Sequence, residues 1–126
     1  MSVPSNPVIE TFRTDADMSA KSYYLVKATG DNDMDVCGAG EAVLGALTNN
    51  VADGTTTAKF LSVQVGGRVL VKCAGAITAG DYAMSDASGK AVAGTDGNNV
   101  FGQALETHAD GDIGAFRFGP FYLETT

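Results

Sequence analysis

The side chains that could do chemistry are few and widely spaced in this chain of 126 residues. His108 is the single histidine, and Cys37 and Cys73 are the two cysteines. A structural zinc site needs four ligands, mostly cysteine and histidine at short spacings. A Ser–His–Asp site needs a serine on a strained turn, and no G-x-S-x-G segment occurs. We therefore expect an exposed loop histidine, two buried free thiols, no catalytic or metal-binding residue, no cofactor and no enzymatic activity.

Three further segments resemble ligand sites without completing them. DNDMD (31–35) places aspartates at positions 1, 3 and 5 of a calcium loop, but Ala42 replaces the bidentate glutamate at position 12. GAGEAVLG (38–45) lacks the third glycine of a dinucleotide-binding loop, and no convincing helix follows it. Lys90 lies in a turn, as a biotin or lipoyl carrier lysine does, but without the neighbours that such carriers use. An acidic turn and a solvated lysine are the predicted states.

Charge and composition argue against two classes of partner. Fifteen acidic and eight basic residues give a net charge of −7, and the basic residues form no run. A nucleic-acid binder shows a basic stripe, and an anionic membrane surface repels an acidic protein. We expect neither partner. The first residues contain no basic region followed by an apolar run, so the sequence predicts a soluble protein made in a reducing cytoplasm.

Short strands and tight turns are predicted to make up the domain. The chain has 16 glycines and three prolines, and no segment keeps a helical apolar period over ten residues. The predicted class is all-β, a compact β-barrel or β-sandwich. Gly66-Gly67 stands between two alternating segments and predicts a two-residue hairpin. Residues 40–48 fit either a short helix or a strand.

The two ends of the chain contain the candidate contact residues. Residues 1–22 contain two prolines and no glycine, so we predict an extended N-terminal arm there and a single β domain over 23–126. The candidate partner-binding residues of the arm are Val3, Pro4, Pro7, Val8, Ile9 and Phe12. The aromatic C-terminal segment fits either core packing with an edge strand or a subunit interface, and the candidate interface residues are Phe118, Phe121 and Tyr122.

One internal similarity suggests a repeated hairpin. LGALTNNVADGTTTA (44–58) aligns without gaps with FGQALETHADGDIGA (101–115), and each copy contains an Ala-Asp-Gly turn. Duplication and convergent turn chemistry both remain open explanations.

The order of several short motifs carries a resemblance to a known family. These motifs are Leu44, Gly45 and Leu47, then Gly67, Val69 and Val71, then AGAITAGDYAMSDASGKAV, then Gly102, Ala104, Leu105 and Glu106, and finally Gly111-Asp112. Over about residues 40–118 this pattern resembles the capsid decoration (cement) proteins of tailed bacteriophages.

That resemblance implies a structural virion protein that binds the outer surface of a capsid and clamps adjacent capsid subunits. The implied partners are the major capsid protein and further copies of the chain in a homotrimer. The implied location is the outer capsid surface, after synthesis in the host bacterial cytoplasm. The alternatives are another virion β-protein, such as a head fibre base or a tail component, and a small carrier or binding module.

Overall fold

The computed structural model describes residues 8–14, 21–30, 33–48, 59–95 and 97–123. These residues form ten strands and contain no helix, which confirms the all-β prediction. The strands are β1 (Val8–Thr14), β2 (Leu25–Gly30), β3 (Asp33–Val36), β4 (Gly45–Leu47), β5 (Lys59–Gly66), β6 (Arg68–Lys72), β7 (Tyr82–Ser85), β8 (Ala91–Ala93), β9 (Asn98–Ala104) and β10 (Ile113–Leu123).

The strands form two five-stranded sheets. The first has the order β1-β3-β2-β4-β5 and closes into a barrel, because β5 also pairs with β1. The second is open, with the order β6-β10-β9-β7-β8. The segment 40–48, for which sequence left helix and strand open, contributes β4.

Alternating side chains build the core of each sheet. In β6, Val69 and Val71 are fully buried, whereas Arg68 and Leu70 are exposed, as expected for a strand with one face on the core. Phe116 belongs to the larger core cluster, and its ring contacts that of Phe101 edge-to-face at 5.1 Å between centroids. The smaller cluster lies in the first sheet, around Val26, Met34, Leu47, Leu61 and Val63.

The predicted N-terminal arm needs one correction. Val8–Thr14 is a strand of the first sheet, because its backbone pairs along its whole length with β5 and, at Arg13, with β3. Arg13 Nη1 also lies 2.9 Å from Asp33 Oδ1, so this joint has a side-chain ion pair as well. Residues 1–7 lie outside the described residues, and an arm there remains a prediction.

The predicted Gly-Gly hairpin is wrong. β5 pairs with β1 and β4, whereas β6 pairs with β10, so Gly66 and Gly67 form the corner at which the chain passes between sheets. Gly67 has a φ of 73°, which glycine adopts without strain. The buried Gln64 supports the corner, because its Oε1 accepts a hydrogen bond from the backbone of Leu70 at 3.1 Å.

Two equivalent turns organise the second sheet. Gly80-Asp81 precedes β7 and Gly111-Asp112 precedes β10, with φ of 92° and 90° at the glycines. In each turn the aspartate carboxylate accepts the backbone N–H three residues earlier, at 3.1 Å in the first and 2.8 Å in the second. Ile77 and His108, just before the turns, pair with each other through two backbone hydrogen bonds.

This turn pair differs from the repeat that the sequence suggested. Most of the first Ala-Asp-Gly copy, residues 49–58, lies outside the described residues. The second copy contains the Gly111 turn, whose structural counterpart is the Gly80 turn.

Candidate functional site

The thiols are buried, as the sequence predicted. Cys37 and Cys73 are both free, and each is 1% exposed. Burial raises the pKa of both thiols above the ordinary value. A buried, protonated thiol is a poor nucleophile and a poor metal ligand. Among the described residues, no three histidine, cysteine, aspartate or glutamate side chains form a group that could hold a metal ion.

The prediction of an exposed His108 is wrong. Its side chain is 6% exposed and lies beside the Phe116 ring, at 5.4 Å between centroids. The ring occupies the space that a Cβ on Gly114 would fill. His108 Nε2 lies 3.5 Å from the carbonyl oxygen of Ala115. The backbone pairing with Ile77 draws the histidine inward, which adjacency to a turn in the sequence did not indicate.

The predicted acidic turn is wrong for Asp33, Met34 and Asp35, which lie in strand β3 and pair with β2. The two aspartate carboxylates and the glycine-rich loop act in local structure. Asp35 accepts a hydrogen bond from the backbone of the next residue, and Asp33 belongs to the β1–β3 joint. In the loop that follows, Glu41 accepts hydrogen bonds from the Gly38 backbone and from the Lys27 ammonium, at 2.7 Å and 2.9 Å. Lys27 lowers the pKa of the Glu41 carboxyl, and Glu41 raises the pKa of Lys27.

Lys90 has a structural contact within the chain. Its ammonium lies 5.6 Å from the centroid of the Tyr24 ring, and the Lys21 ammonium lies at the same distance. Two cations on one ring give modest cation–π stabilisation at a partly exposed site. In the turn before Lys90, the Asp86 carboxylate accepts the backbone N–H groups of Ser88 and Lys90.

The candidate arm residues have different environments. Val3, Pro4 and Pro7 lie outside the described residues, and Val8 starts β1. Ile9 is 51% exposed, whereas Phe12 is half-buried and packs against the smaller core cluster. Ile9 is therefore an exposed apolar side chain of this strand, and Phe12 belongs partly to the core.

The C-terminal aromatic residues lie along one strand. Phe118 is half-buried and packs against the larger core cluster. Phe121 and Tyr122 pair through their backbones with Val100 and Asn99 after a bulge in β10. Core packing thus applies to Phe118, and a subunit interface at these residues remains a prediction.

Sequence reasoning missed a second group of exposed apolar side chains. Leu70, Tyr82, Leu105 and Ile113 are 37% to 49% exposed, and all belong to the second sheet or to the loop after β9. For Leu70 the sequence did contain a signal. In the alternating segment RVLVK of β6, this apolar residue lies on the same face as the charged Arg68 and Lys72, which indicates an exposed apolar side chain.

The described residues define the structural class of this protein. It is a small all-β protein of two sheets, with exposed apolar side chains on strands at its surface. The described part of the chain contains no helix of the length and apolarity that a membrane crossing needs. The chain matches no protein-family model and no curated protein.

A solved structure with a similar fold is the N base of head fiber gp8.5 in bacteriophage phi29. The TM-score is 0.65 at 20% sequence identity, and the match covers 94% of this chain and 98% of that one. At this identity the likeness shows a shared fold over nearly the whole of both chains.

Proposed function

We propose that this chain is a structural, non-enzymatic protein of a bacteriophage virion that attaches to the outside of the head. The observation that carries the proposal is the fold shared with a phage head fiber base over 94% of this chain. The motif order from about 40 to 118, which resembles capsid decoration proteins, leads independently to the same location.

The fold suits a protein that works through contact area. The turns at Asp81 and Asp112 are fixed by internal hydrogen bonds, so these turns need no ordering when a partner binds. Ordering a flexible residue costs about 1–2 kcal/mol, and a preordered surface avoids this cost on binding.

Two finer roles follow from different observations. The shared fold favours a head fibre base, a platform on the shell that carries an appendage. The sequence resemblance favours a decoration protein that clamps adjacent capsid subunits, with a homotrimer summing three modest contacts through effective concentration. In both roles the partner is the major capsid protein.

The first experiment tests attachment. Purified heads of the encoding phage, made without this gene product, are incubated with the purified full chain and sedimented. We expect co-sedimentation with heads and little binding to unassembled capsid protein. Cryo-electron microscopy of wild-type and gene-deleted particles should show lost density on the head surface. Unchanged head density together with no co-sedimentation would contradict the proposal.

The same particles separate the two roles. A decoration protein that clamps subunits raises the temperature at which heads release DNA, so gene-deleted particles should fail at a lower temperature. A fibre base leaves that temperature unchanged, and its deletion removes projecting density as well.

A further inference from the structure

We propose that the outer face of the second sheet is a docking surface for an acidic protein surface that also carries apolar side chains. This basic face consists of Arg68, Leu70, Lys72, Tyr82, Ile113 and Arg117. Under the proposed function, on which the identity of the partner rests, the acidic surface belongs to the assembled shell.

The cross-strand register of the basic face is unfavourable in the free protein. Arg68 on β6 stands directly opposite Arg117 on β10, and like charges directly opposite each other destabilise a sheet. Arg68 Nη2 lies 4.0 Å from Glu106 Oε2, a weak exposed pair. Within the described residues, Arg117 has no ion pair and no side-chain hydrogen bond. Carboxylates that bridge the two guanidinium groups would relieve this repulsion.

Apolar side chains accompany the arginine pair in the same register. Leu70 is opposite Ala115, and Ile113 is opposite Lys72, so cationic and apolar side chains alternate across two strands. Ile113 is 49% exposed and Leu70 is 37% exposed. Arginine and large aromatic side chains dominate the energetics of protein interfaces, which favours a protein partner over a small anion.

Two open depressions border the basic face. One, of about 170 Å³, is lined by Tyr82, Gln103, Arg117, Phe118 and two glycines. The other, of about 280 Å³, is lined by Ser22, Tyr23, Tyr24, Lys72 and Ile113. Each combines aromatic side chains with a cation, so each can accept an apolar side chain whose neighbour is a carboxylate.

The charge of the rest of the chain makes this face distinctive. Three of the eight basic residues lie on the basic face of a protein with a net charge of −7. The nearby carboxylates of Asp81 and Asp112 accept backbone N–H groups in their turns. An acidic partner is repelled by the molecule as a whole, so its binding depends on this face.

The test uses the full chain with a soluble random copolymer of glutamate and tyrosine as the acidic, partly apolar probe. The variant Arg68→Gln/Arg117→Gln removes the arginine pair. The matched control, Lys27→Gln/Lys59→Gln, removes two charges from strands of the first sheet. We expect amide chemical-shift changes on β6 and β10 of the wild type, with at least tenfold weaker binding for the arginine variant and less than twofold change for the control. The arginine variant should unfold at the same temperature as wild type or higher, because it relieves a repulsion.

Equal affinities of the two variants, or shift changes confined to the first sheet, would overturn the inference. Analytical ultracentrifugation of the free protein adds a further test. If wild type forms an oligomer that the arginine variant does not, the occupant is a second copy and the inference is wrong.

The head-binding assay keeps this inference separate from the proposed function. If the wild type and the control bind heads and the arginine variant binds at least tenfold more weakly, the result supports both the proposed function and the docking surface. Equal binding by all three overturns the docking surface and leaves the proposed function standing. If the wild type does not bind heads, the proposed function is overturned, and the copolymer assay alone then tests the docking surface.

Discussion

At the scale of single residues, His108 shows how a glycine on a neighbouring strand determines the environment of a side chain. The imidazole lies where a Cβ of Gly114 would stand, beside the ring of Phe116. A glycine at this position therefore makes room for the histidine in the core.

The first prediction concerns this contact. Gly114→Ala should lower the free energy of unfolding by about 1–3 kcal/mol, because the added methyl overlaps the His108 ring. Gly75→Ala, where a Cβ meets nothing within 4 Å, is the matched control and should change stability little. Urea denaturation measures both. In a His108→Ala background the cost of Gly114→Ala should shrink, and an unchanged cost would contradict the overlap.

The second prediction concerns pH. Because the pKa of both thiols is raised in the folded state, the thiols of the unfolded state lose their protons at a lower pH than those of the folded state. The stabilisation is complete below the unfolded thiol pKa of about 8.5 and declines as the pH rises further. Between pH 7 and pH 10, wild type should therefore lose more stability than Cys37→Ala/Cys73→Ala. Parallel pH profiles from urea denaturation would show that the thiols do not contribute.

At the scale of elements, the turns before β7 and β10 are equivalent in backbone and side chain. Each carboxylate, of Asp81 or Asp112, accepts a hydrogen bond from the backbone N–H three residues earlier. The N–H of Gly80 donates to the carbonyl of Ala104 at the end of β9, and the N–H of Gly111 donates to the carbonyl of Cys73, just after β6. The two turns thus fix where β7 and β10 begin.

The third prediction follows from this equivalence. Asp81→Ala and Asp112→Ala should each cost about 1 kcal/mol, since each leaves a turn N–H without its charged acceptor. Asp110→Ala, in the second turn but without a side-chain hydrogen bond among the described residues, is the control and should stay within about 0.5 kcal/mol of wild type. Thermal unfolding measures all three. A cost for Asp110 equal to that for Asp112 would contradict the assigned role of the carboxylate.

The sequence predicted the positions of strands and turns better than it predicted which strands pair. Alternation in RVLVK and the glycine-rich turns correctly indicated short strands, because these signals are local. The hairpin predicted at Gly66-Gly67 is wrong, because a hairpin and a corner between sheets need the same permissive backbone and so give the same local signal. Only long-range pairing, β5 with β1 and β6 with β10, distinguishes them.

At the scale of the whole molecule, β1 makes the first sheet a closed barrel. The fourth prediction tests this role. Deleting residues 2–7 should leave the unfolding temperature unchanged, whereas deleting residues 2–14 should remove β1 and give a protein that is unfolded or melts at least 10 °C lower. Circular dichroism melts and amide NMR spectra compare the two deletions. Native spectra and stability for the longer deletion would contradict a closing role for β1.

The candidate contact surfaces were harder to predict than the fold. The arginine opposition of Arg68 and Arg117 exists only in the register of β6 and β10, which lie far apart in sequence. Apolar character is the sequence signal that predicts the candidate residues at the N-terminus, and this local feature does not distinguish Ile9, which is exposed, from Phe12, which is partly in the core.

The pairing of β1 has a mechanical consequence. Val8, its first residue, pairs with Gly66, the last residue of β5, and the chain then enters the second sheet. A force that pulls the N-terminus away from the second sheet therefore acts on β1 and β5 at the same end of their hydrogen-bond ladder. Its hydrogen bonds would break one after another, as in unzipping, and not together in shear. A contact with a neighbouring subunit that must withstand outward force is therefore better placed on the second sheet than at the N-terminus of β1.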